Sequence, residues 1–589
     1  MKANIISKGR NITLGLLATS LVLGSCKKYL AVEPVSSFGT DYVFSNITNA
    51  ELAVLGAYAA LGGDQGYGIR ISMYYPYDND EMMGQSGAPG DNERRDIARY
   101  NTKPSNTQLA NPFNQLYSGI ERANICIYNI PRMSLYTNGS ESAKAKLRHL
   151  YGEALTLRAQ FYLELIRNWG DVPAQWQPSS METDLFKTKT NRDEIYDRLL
   201  ADLAEAATLV PWRKDAAGIT NERITQGAVR GLRARIALYR GGYSLRLNRQ
   251  MERPANYKDF YQIAKDECAV IIARTGDHNL NPSFQSVFED AIGAHVEEPN
   301  GEIIWEVGMT GGGSGFGDSK LGYYNGPRYN NTGNSALTIL PTYFYAFDSL
   351  DTRRDVTCVP YNINQNFTLA GRTLATMVDG KFRRDWTSQV ASAAQYFGTN
   401  WPMIRLSDVL LMYAEADNEL GNGPSPAAVT AFEKVRLRAF AGNASRIGTT
   451  PTDYEGFFEA IIRERMFELG GEGIRKYDLI RWNKLKERMD AAKEEMRKMV
   501  AKEAPYENLP ATMYYLPNQT TMIWYGSFYK PEPSSAPSGY SSVAWIGSSI
   551  TTTITDVLAV SFEANKSELL PLPLASLDAN PNLTQDYGH

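Results

Sequence analysis

Residues 153–173 read EALTLRAQFYLELIRNWGDVP, and this stretch decides the fold. It lies in a helix predicted from Leu147 to Trp169, because apolar side chains recur on one face at spacings of three and four residues. These positions are Leu150, Ala154, Leu157, Phe161 and Leu165. The Gly-Asp-Val-Pro turn at 170–173 ends the helix, since glycine and proline both interrupt helical hydrogen bonding.

The same helical pattern continues on both sides. A helix is predicted to begin at Thr190, with Asp193 as an approximate capping box, and to end at Pro211. Another is predicted over Thr220–Tyr239, and its small residues allow a neighbouring helix to approach closely. Similar periodicity predicts helices over Ala50–Leu61, Asn111–Ile130, Tyr257–Ala273, Leu406–Leu420, Ala427–Arg438, Tyr454–Leu469 and Ile474–Met499.

The helices partly resemble one another. Leu-Arg-Ala recurs at 157, 232 and 437, and the first two copies are separated by about two periods of a ~34-residue helical hairpin repeat. Such hairpins stack by burying each other's apolar faces. The arginines of 463–482 are interpreted as structural residues that pair with Glu468 and Asp478. The sequence therefore predicts a mainly α scaffold of stacked helical hairpins.

Three regions do not follow the helical pattern. Residues 275–401 are rich in Gly, Asn and Tyr, with a strand-like run at Glu302–Val307 and a glycine run at 311–315. Residues 506–555 are rich in Ser, Thr, Pro and aromatic residues, and 62–108 form a shorter irregular region. All exceed the ~12–15 residues usual for structureless loops, so we expect ordered excursions from the scaffold.

Composition argues against several classes of enzyme. The 589 residues include 35 Tyr and 9 Trp but only 4 His and 4 Cys. None of the histidines falls in an H-x-x-x-H or H-E-x-x-H spacing: His149, His278, His295 and His589. The glycine run also lacks the spacing of a nucleotide-phosphate loop. Neither a metal site, a cofactor, nor Ser-His-Asp or Cys-His catalysis is predicted.

The N-terminus predicts export. Lys2, Lys8 and Arg10 precede an apolar run at 12–23, which is shorter than the ~20 residues needed to cross a bilayer. Leu-Gly-Ser-Cys at 23–26 matches the lipobox pattern, so 1–25 are predicted to be a lipoprotein signal peptide and Cys26 to be lipidated. The alternative is an ordinary signal peptide followed by a free cysteine.

Processing changes the charge of the chain. The full sequence carries a net charge of −4, and cleavage would leave 58 basic and 65 acidic residues, a net charge of −7. An acidic protein is a poor candidate for nucleic-acid binding, which depends on basic patches. The remaining cysteines are predicted to be small buried hydrophobic residues, with one disulfide possible: Cys126, Cys268 and Cys358.

Aromatic residues in the irregular regions suggest a binding surface. Tyr74, Tyr75 and Tyr77 precede the acidic cluster 78–81, and further rings lie at Phe316, Tyr323, Tyr324, Tyr329, Trp524, Tyr525, Phe528, Tyr529 and Trp545. A flat ring beside amides and carboxylates suits a sugar, whose C–H face stacks on the ring. For any single tyrosine, anchoring a large loop is the simpler explanation. A glycoside hydrolase that uses Asp80 or Glu81 remains an alternative. The acidic cluster could also be a solvated turn or a weak calcium site.

The motifs together resemble the SusD/RagB family of outer-membrane nutrient-uptake lipoproteins. The similar segments cover nearly the whole chain: YLAVEP at 29–34, LYSGIERAN at 116–124, the stretch 153–173, WPMIRLSDVLLMYAEA at 401–416, IRERMFELGGEGIRKYDLIRW at 462–482 and LPLP at 570–573. The resemblance implies a tetratricopeptide-like helical hairpin scaffold with irregular, loop-rich excursions and a few short strands. It also implies a binding protein without catalytic activity or cofactor.

The resemblance further implies a domain layout. After the signal peptide 1–25, residues 26–589 would form a single SusD-like domain. Its helical scaffold would occupy about 40–274 and 402–504, and the ligand-face excursions about 62–108, 275–401 and 505–560. Residues 561–589 would be a C-terminal docking segment.

The resemblance implies a protein that captures oligosaccharides at the cell surface and delivers them to a SusC-like TonB-dependent transporter. It would be attached to the outer membrane through an acylated (palmitate) Cys26. No nucleic-acid partner is expected. The candidate ligand residues lie in the excursions: Tyr74, Tyr77, Asn79, Asp80, Arg94, Tyr323 and Tyr324. Two alternatives remain. One is a peptide-binding uptake lipoprotein of the same family, and the other is a purely structural lid on the transporter.

Overall fold

A computed structural model describes residues 39–90, 93–215, 218–387 and 395–589. The predicted signal peptide 1–25, the lipidation site Cys26 and the YLAVEP segment lie outside the described residues. Among the residues that are described, no helix is long and apolar enough to cross a membrane. The three cysteines Cys126, Cys268 and Cys358 are buried and unpaired, which confirms their predicted place in the core.

Helices dominate the described chain. The α-helices of seven or more residues are α1 (Ile47–Tyr58), α2 (Thr107–Asn129), α3 (Glu141–Trp169), α4 (Arg192–Leu209), α5 (Gln226–Gly241), α6 (Tyr257–Ala273), α7 (Leu406–Gly421), α8 (Pro426–Ala439), α9 (Tyr454–Leu469), α10 (Arg475–Arg481) and α11 (Leu485–Ala501). Shorter α-helices are Thr40–Val43, Arg94–Ala98, Ser134–Asn138, Phe284–Ser286, Pro341–Ala346, Thr352–Thr357, Thr552–Thr555 and Leu574–Ala579. Arg70–Tyr74 and Val287–Gly293 are π-helical.

Neighbouring helices pack in sequence order. Each helix from α2 to α7 packs against the next, and α7 also packs against both α8 and α9. Helices α6 and α7 are direct neighbours although residues 274–405 separate them in the chain. The long central excursion is therefore an insertion between two packed helices. The predicted scaffold of helical hairpins with irregular excursions is confirmed.

The strands are short and belong to the excursions and connections. They are β1 (Met82–Met83), β2 (Ser244–Leu245), β3 (Met251–Glu252), β4 (Ile303–Val307), β5 (Thr338–Ile339), β6 (Cys358–Val359), β7 (Tyr361–Ile363), β8 (Leu369–Gly371), β9 (Val378–Asp379), β10 (Trp401–Arg405), β11 (Thr512–Tyr515), β12 (Trp524–Tyr525) and β13 (Ser541–Ala544). The sheets have the orders β1-β5-β9-β6, β10-β4, β12-β11-β13, β2-β3 and β7-β8, all antiparallel. Strand β4 confirms the predicted run at 302–307.

Several predicted helices differ from the structure in their bounds; α3, for example, begins at Glu141 rather than at Leu147. The helix predicted over Ile474–Met499 is broken into α10 and α11, because Asn483 between them has a left-handed backbone with φ of 55°. Helix α5 begins at Gln226 rather than at Thr220. Helix α4 begins at Arg192 rather than at Thr190, and its cap is Asn191, which accepts a hydrogen bond from the backbone N–H of Asp193, rather than the predicted capping box.

A buried ion-pair network joins the helical scaffold to the central excursion. Glu468 of α9 accepts hydrogen bonds from Arg405 (2.9 Å), Arg438 (2.5 Å) and Arg353 (3.2 Å). Arg405 continues the network to Glu302 at the start of β4 (2.8 Å). The predicted structural role of the C-terminal arginines is confirmed as well: Arg465 and Arg481 both pair with Asp478, at 2.7 and 2.8 Å.

Helix α2 approaches α3 closely where Gly119 faces Phe161. A Cβ atom added at Gly119 would lie 2.5 Å from the ring of Phe161. We therefore expect Gly119→Ala to lower the free energy of unfolding by about 1–3 kcal/mol, since overpacking displaces core side chains. Urea unfolding followed by far-UV circular dichroism measures the change. Gly56→Ala on α1 is the matched control: its Cβ meets nothing within 4 Å, so a gain of about 0.5–1 kcal/mol is expected. Equal effects of the two substitutions would contradict the packing.

Candidate functional site

Five of the seven predicted ligand residues are buried, three of them in the segment 77–80. Tyr77 is only 2% exposed, and burial raises the pKa of its hydroxyl well above the usual value. Asn79 is also buried: its Oδ1 accepts the backbone N–H groups of Glu81 (2.8 Å) and Met82 (2.9 Å), which closes a turn. Contrary to the expectation, neither side chain faces a ligand at the surface in this structure, because both are buried inside the fold.

Asp80 is the third, and its partner is far away in sequence. Both carboxylate oxygens of Asp80 accept hydrogen bonds from Arg475 of α10, at 2.8 and 2.7 Å. Burial raises the pKa of the neighbouring Glu81 well above its usual value. A glycosidase needs two carboxylates facing a sugar from opposite sides. Asp80 and Glu81 do not have that arrangement, since both are buried beside Arg475.

The structure brings three other predicted residues together. The ring centroids of Tyr74 and Tyr324 are 5.4 Å apart. The guanidinium carbon of Arg94 lies 5.9 Å from the Tyr74 ring and 5.5 Å from the Tyr324 ring, and Arg94 also donates to Gln85. The excursions that carry Tyr74, Arg94 and Tyr324 therefore meet here. Both rings are buried, however, so Arg94 rather than a tyrosine ring lies on the outer side.

A polar cluster extends this group along the surface. Asp64 accepts a hydrogen bond from the hydroxyl of Tyr396 (2.9 Å) and pairs with Lys320 (3.5 Å) and Arg70 (3.9 Å). The ammonium of Lys320 lies 4.7 Å from the centre of the Tyr396 ring. Arg70 also faces the ring of Tyr74 at 5.9 Å, which links this cluster to Tyr74 and Tyr324.

Phe316 is the most exposed large side chain beside this cluster. Its side chain is 92% exposed, and it forms no ring contact with the described residues. The adjoining Gly315 carbonyl accepts the backbone N–H of Asp64 at 2.8 Å, so Phe316 lies next to the Asp64 cluster. An exposed phenylalanine costs free energy in water unless something covers it. It can serve as a stacking platform for a ligand.

The loop that carries Phe316 is held in place by Asp318. This buried carboxylate accepts hydrogen bonds from the hydroxyl of Thr310 (2.8 Å) and the backbone N–H groups of Gly311 (2.5 Å) and Ser314 (2.7 Å). The glycine-rich loop is thus organised by hydrogen bonds rather than by a core of its own. Such preorganisation lowers the cost of ligand binding.

We call the surface formed by these residues the aromatic face. Its members are Asp64, Arg70, Tyr74, Arg94, Phe316, Lys320, Tyr324 and Tyr396. Of these, Tyr74, Arg94 and Tyr324 are predicted ligand residues, and Phe316 is one of the rings noted in the irregular regions. The sequence did not predict Asp64, Arg70, Lys320 or Tyr396. A signal for Phe316 is present in the sequence: an aromatic residue within GGGSGFG has no large neighbour in its own segment to pack against.

Tyr323 leads from the aromatic face to a second group of rings. It is half-buried, and its neighbour in space is Arg384, whose guanidinium carbon also lies 6.0 Å from the ring of Tyr329. Tyr329 in turn contacts Phe367, with centroids 5.6 Å apart. Phe367 is 54% exposed. Exposed aromatic surface thus continues beyond Tyr323.

Beneath the glycine-rich loop lies a cluster of titratable groups. Asn400 donates to Glu306 and to Glu222, both at 3.0 Å, and accepts the backbone N–H of Met309 at 2.8 Å. Glu222 also contacts His295 at 3.0 Å. Burial raises the pKa of Glu306 to about 7. The base of the loop therefore rests on a carboxyl group that changes protonation near neutral pH.

Glu306→Gln is expected to change how stability depends on pH. An unfolded glutamate titrates near pH 4.5, so the folded protein binds more protons between about pH 4.5 and 7. The stabilisation by the protonated acid is present below that range and is lost as pH rises through 7. Because Gln resembles the protonated acid, the variant should be up to about 3 kcal/mol more stable than wild type at pH 8, but not at pH 4.5. Urea unfolding at both pH values measures this, and an equal difference at both would contradict it.

Two clefts lie away from the aromatic face. One of about 390 Å³ is lined by α8, α9 and the segment around Asp348, and another of about 330 Å³ lies between residues 100–103 and 561–571. Neither is lined by a member of the aromatic face. Within the described ranges, no group of three or more His, Cys, Asp or Glu side chains is arranged to hold a metal ion.

Family models and sequence relatives both indicate similarity to SusD-like proteins. A model of the SusD family matches residues 358–589, and a model described as starch-binding proteins associating with the outer membrane matches residues 29–238. SusD-like protein P25 of Formosa agariphila is 25% identical over 497 residues, covering 78% of this chain and 87% of the relative. SusD-like protein P38 of the same organism is 23% identical over 514 residues, covering 82% and 93%.

Solved structures share the fold. A SusD homologue from Bacteroides thetaiotaomicron superposes with a TM-score of 0.74 at 20% identity, covering 93% of this chain and 98% of that one. A laminarin-binding SusD-like protein has a TM-score of 0.64 at 19% identity, covering 92% and 99%. Surface glycan-binding protein A from B. thetaiotaomicron, in complex with laminarihexaose, has a TM-score of 0.61 at 18% identity, covering 92% and 99%.

Proposed function

Because the chain belongs to the SusD/RagB family, we propose that it is an outer-membrane lipoprotein that captures oligosaccharides at the cell surface. The observation that carries this proposal is the exposed Phe316 beside the Asp64 cluster. A sugar ring can stack its C–H face on Phe316. Its hydroxyl groups can then exchange hydrogen bonds with Asp64, Tyr396 and Arg94. Two structural neighbours bind laminarin or laminarihexaose, which supports a glycan as the ligand.

Delivery to a transporter completes the proposed role. A SusC-like TonB-dependent transporter would receive the oligosaccharide, and acyl chains on Cys26 would hold the protein at the outer membrane. The single-domain layout, with excursions on a helical scaffold and a docking segment at 561–589, belongs to the same proposal. An intact mass of the membrane-purified protein that lacks a diacylglycerol addition would contradict the anchor.

Catalysis is not part of the proposed role. The two carboxylates considered for a hydrolase, Asp80 and Glu81, are buried beside Arg475. We therefore expect the purified protein to release no reducing ends from any polysaccharide it binds. Sustained release by the wild-type protein, but not by Asp80→Asn, would replace the binding role with a hydrolase.

Calorimetric titration with a panel of oligosaccharides and peptides tests the proposal. Stacking and a few hydrogen bonds should give dissociation constants of roughly micromolar to millimolar for a free oligosaccharide. Binding of a peptide but of no oligosaccharide would change the ligand class and leave the uptake role. Absence of binding to both would favour a structural lid over the transporter.

A further inference from the structure

An arginine without a carboxylate partner lies beside the aromatic face. Arg384 is 2% exposed, and its Nε and Nη1 atoms are buried without a hydrogen-bond acceptor among the described residues. Burying a charge without a partner is strongly unfavourable. Other buried arginines of this protein, such as Arg405, are paired with carboxylates. The isolation of Arg384 therefore requires a separate explanation.

Aromatic rings, rather than an ion-paired carboxylate, lie against the guanidinium of Arg384. Its guanidinium carbon lies 4.9 Å from the ring centre of Phe397 and 6.0 Å from that of Tyr329. Burial lowers the pKa of Arg384, and the hydroxyls of Tyr323 and Tyr329 oppose that shift. Asp385, the next residue in the chain, interacts with Arg383 and with the hydroxyl of Tyr329. No ion pair joins Asp385, or any other carboxylate of the described residues, to Arg384.

Two further arginines meet at Asn362, whose neighbour Ile363 forms a β-bridge with Tyr329. Asn362 accepts hydrogen bonds from the side chain of Arg372 (2.7 Å) and from the backbone N–H of Arg328 (3.2 Å). Burial, together with the charge of Arg328, lowers the pKa of Arg372 to about 10. The segments that carry them, 321–347 and 356–378, contain no Asp or Glu. Positive charge therefore accumulates here in a protein whose net charge is negative.

We propose that Arg328, Arg372 and Arg384, which we call the arginine patch, bind an anionic group of the captured oligosaccharide. This inference rests on the proposed function and names its substrate class: a glycan bearing carboxylate or sulfate groups. The planar guanidinium of arginine suits such anions, because two parallel N–H groups can bind two oxygens. Tyr329 and the exposed Phe367 offer ring surface to the sugar that carries the anion.

Titration of the full-length mature protein with three oligosaccharides of equal length tests the proposal. One carries uronic acids, one carries sulfate esters and one is neutral. At least one anionic ligand should bind about tenfold or more tightly than the neutral one at low ionic strength, and high salt should reduce the difference. Whichever anionic ligand binds identifies the source of the charge. Equal affinity for all three would overturn the inference.

Variants then locate the site. Arg384→Gln and Arg328→Gln should each weaken binding of the anionic oligosaccharide about tenfold and leave the neutral one unchanged. Arg384→Gln should also leave the melting temperature unchanged or higher, since the replaced charge has no carboxylate partner to lose. Arg148→Gln is the matched control, because Arg148 is exposed on α3 and has no ion pair within the described chain. It should change neither affinity.

The outcomes separate this inference from the function on which it rests. If neutral sugars bind to wild type and the anionic preference is absent, the inference fails while glycan capture stands. If no oligosaccharide binds, both fail. A large fall in melting temperature for Arg384→Gln would assign that residue a structural role, and an unchanged anionic preference in Arg328→Gln would then overturn the patch.

Discussion

Replacing Glu468 with alanine is expected to lower the free energy of unfolding by about 3–5 kcal/mol. Burial alone would raise the pKa of Glu468, but the charges of Arg438, Arg405 and Arg353 lower it below its usual value. The folded protein therefore depends on the ionised carboxylate. Its removal would leave three guanidinium groups in the interior without their shared partner, and α9 would lose one of its ionic connections to the central excursion.

Urea unfolding at pH 7 measures this effect, with Glu487→Ala as the matched control. Glu487 forms an ion pair with Lys484 at 2.9 Å, similar in length to the pairs of Glu468 but exposed to solvent. Exposed pairs contribute about 0–1 kcal/mol, so the control should remain close to wild type. A loss below about 1 kcal/mol for Glu468→Ala would contradict the role of the network.

Replacing Phe316 with alanine is expected to weaken oligosaccharide binding about tenfold or more without changing stability. The ring is almost wholly exposed and has no ring contact with the described residues, so folding gains nothing from it. A sugar stacked on it would lose contact area and aromatic attraction worth about 1–2 kcal/mol. Calorimetry with the tightest-binding oligosaccharide of the panel measures the change, and the melting temperature verifies the fold.

Phe186→Ala is the matched control for this variant. Phe186 is 53% exposed and lies in the 182–189 connection, away from the aromatic face. Its removal should leave affinity unchanged. The buried rings of Tyr74 and Tyr324 are less suitable for the test, because their truncation would also create a cavity. Equal affinities of wild type and Phe316→Ala would remove Phe316 from the binding surface.

The helical scaffold was largely predictable because its signals are local. Helices α6 and α9 have the predicted bounds, since apolar periodicity and the flanking residues mark both ends. The break between α10 and α11 was missed because the apolar pattern continues across Asn483, and only its backbone conformation interrupts the helix. Local patterns thus identify elements better than they identify kinks.

The candidate site was predictable by region but not by residue. Tyr77 and Asp80 have the composition of a binding loop, yet Asp80 is neutralised by Arg475, which lies 395 positions further along the chain. No local pattern reveals such a contact. For Arg384, the sequence does not reveal that a contact is missing, because its lack of a hydrogen-bond acceptor is visible only once the chain is folded. Exposure and pairing, which decide binding, are properties of the tertiary structure.

The most direct test of glycan capture is a crystal structure of the protein with the oligosaccharide that binds most tightly. We predict a sugar ring packed against Phe316, with hydroxyl groups hydrogen-bonded to Asp64, Tyr396 or Arg94. A sugar bound in the cleft between α8 and α9, with the ring of Phe316 still uncovered, would contradict this account.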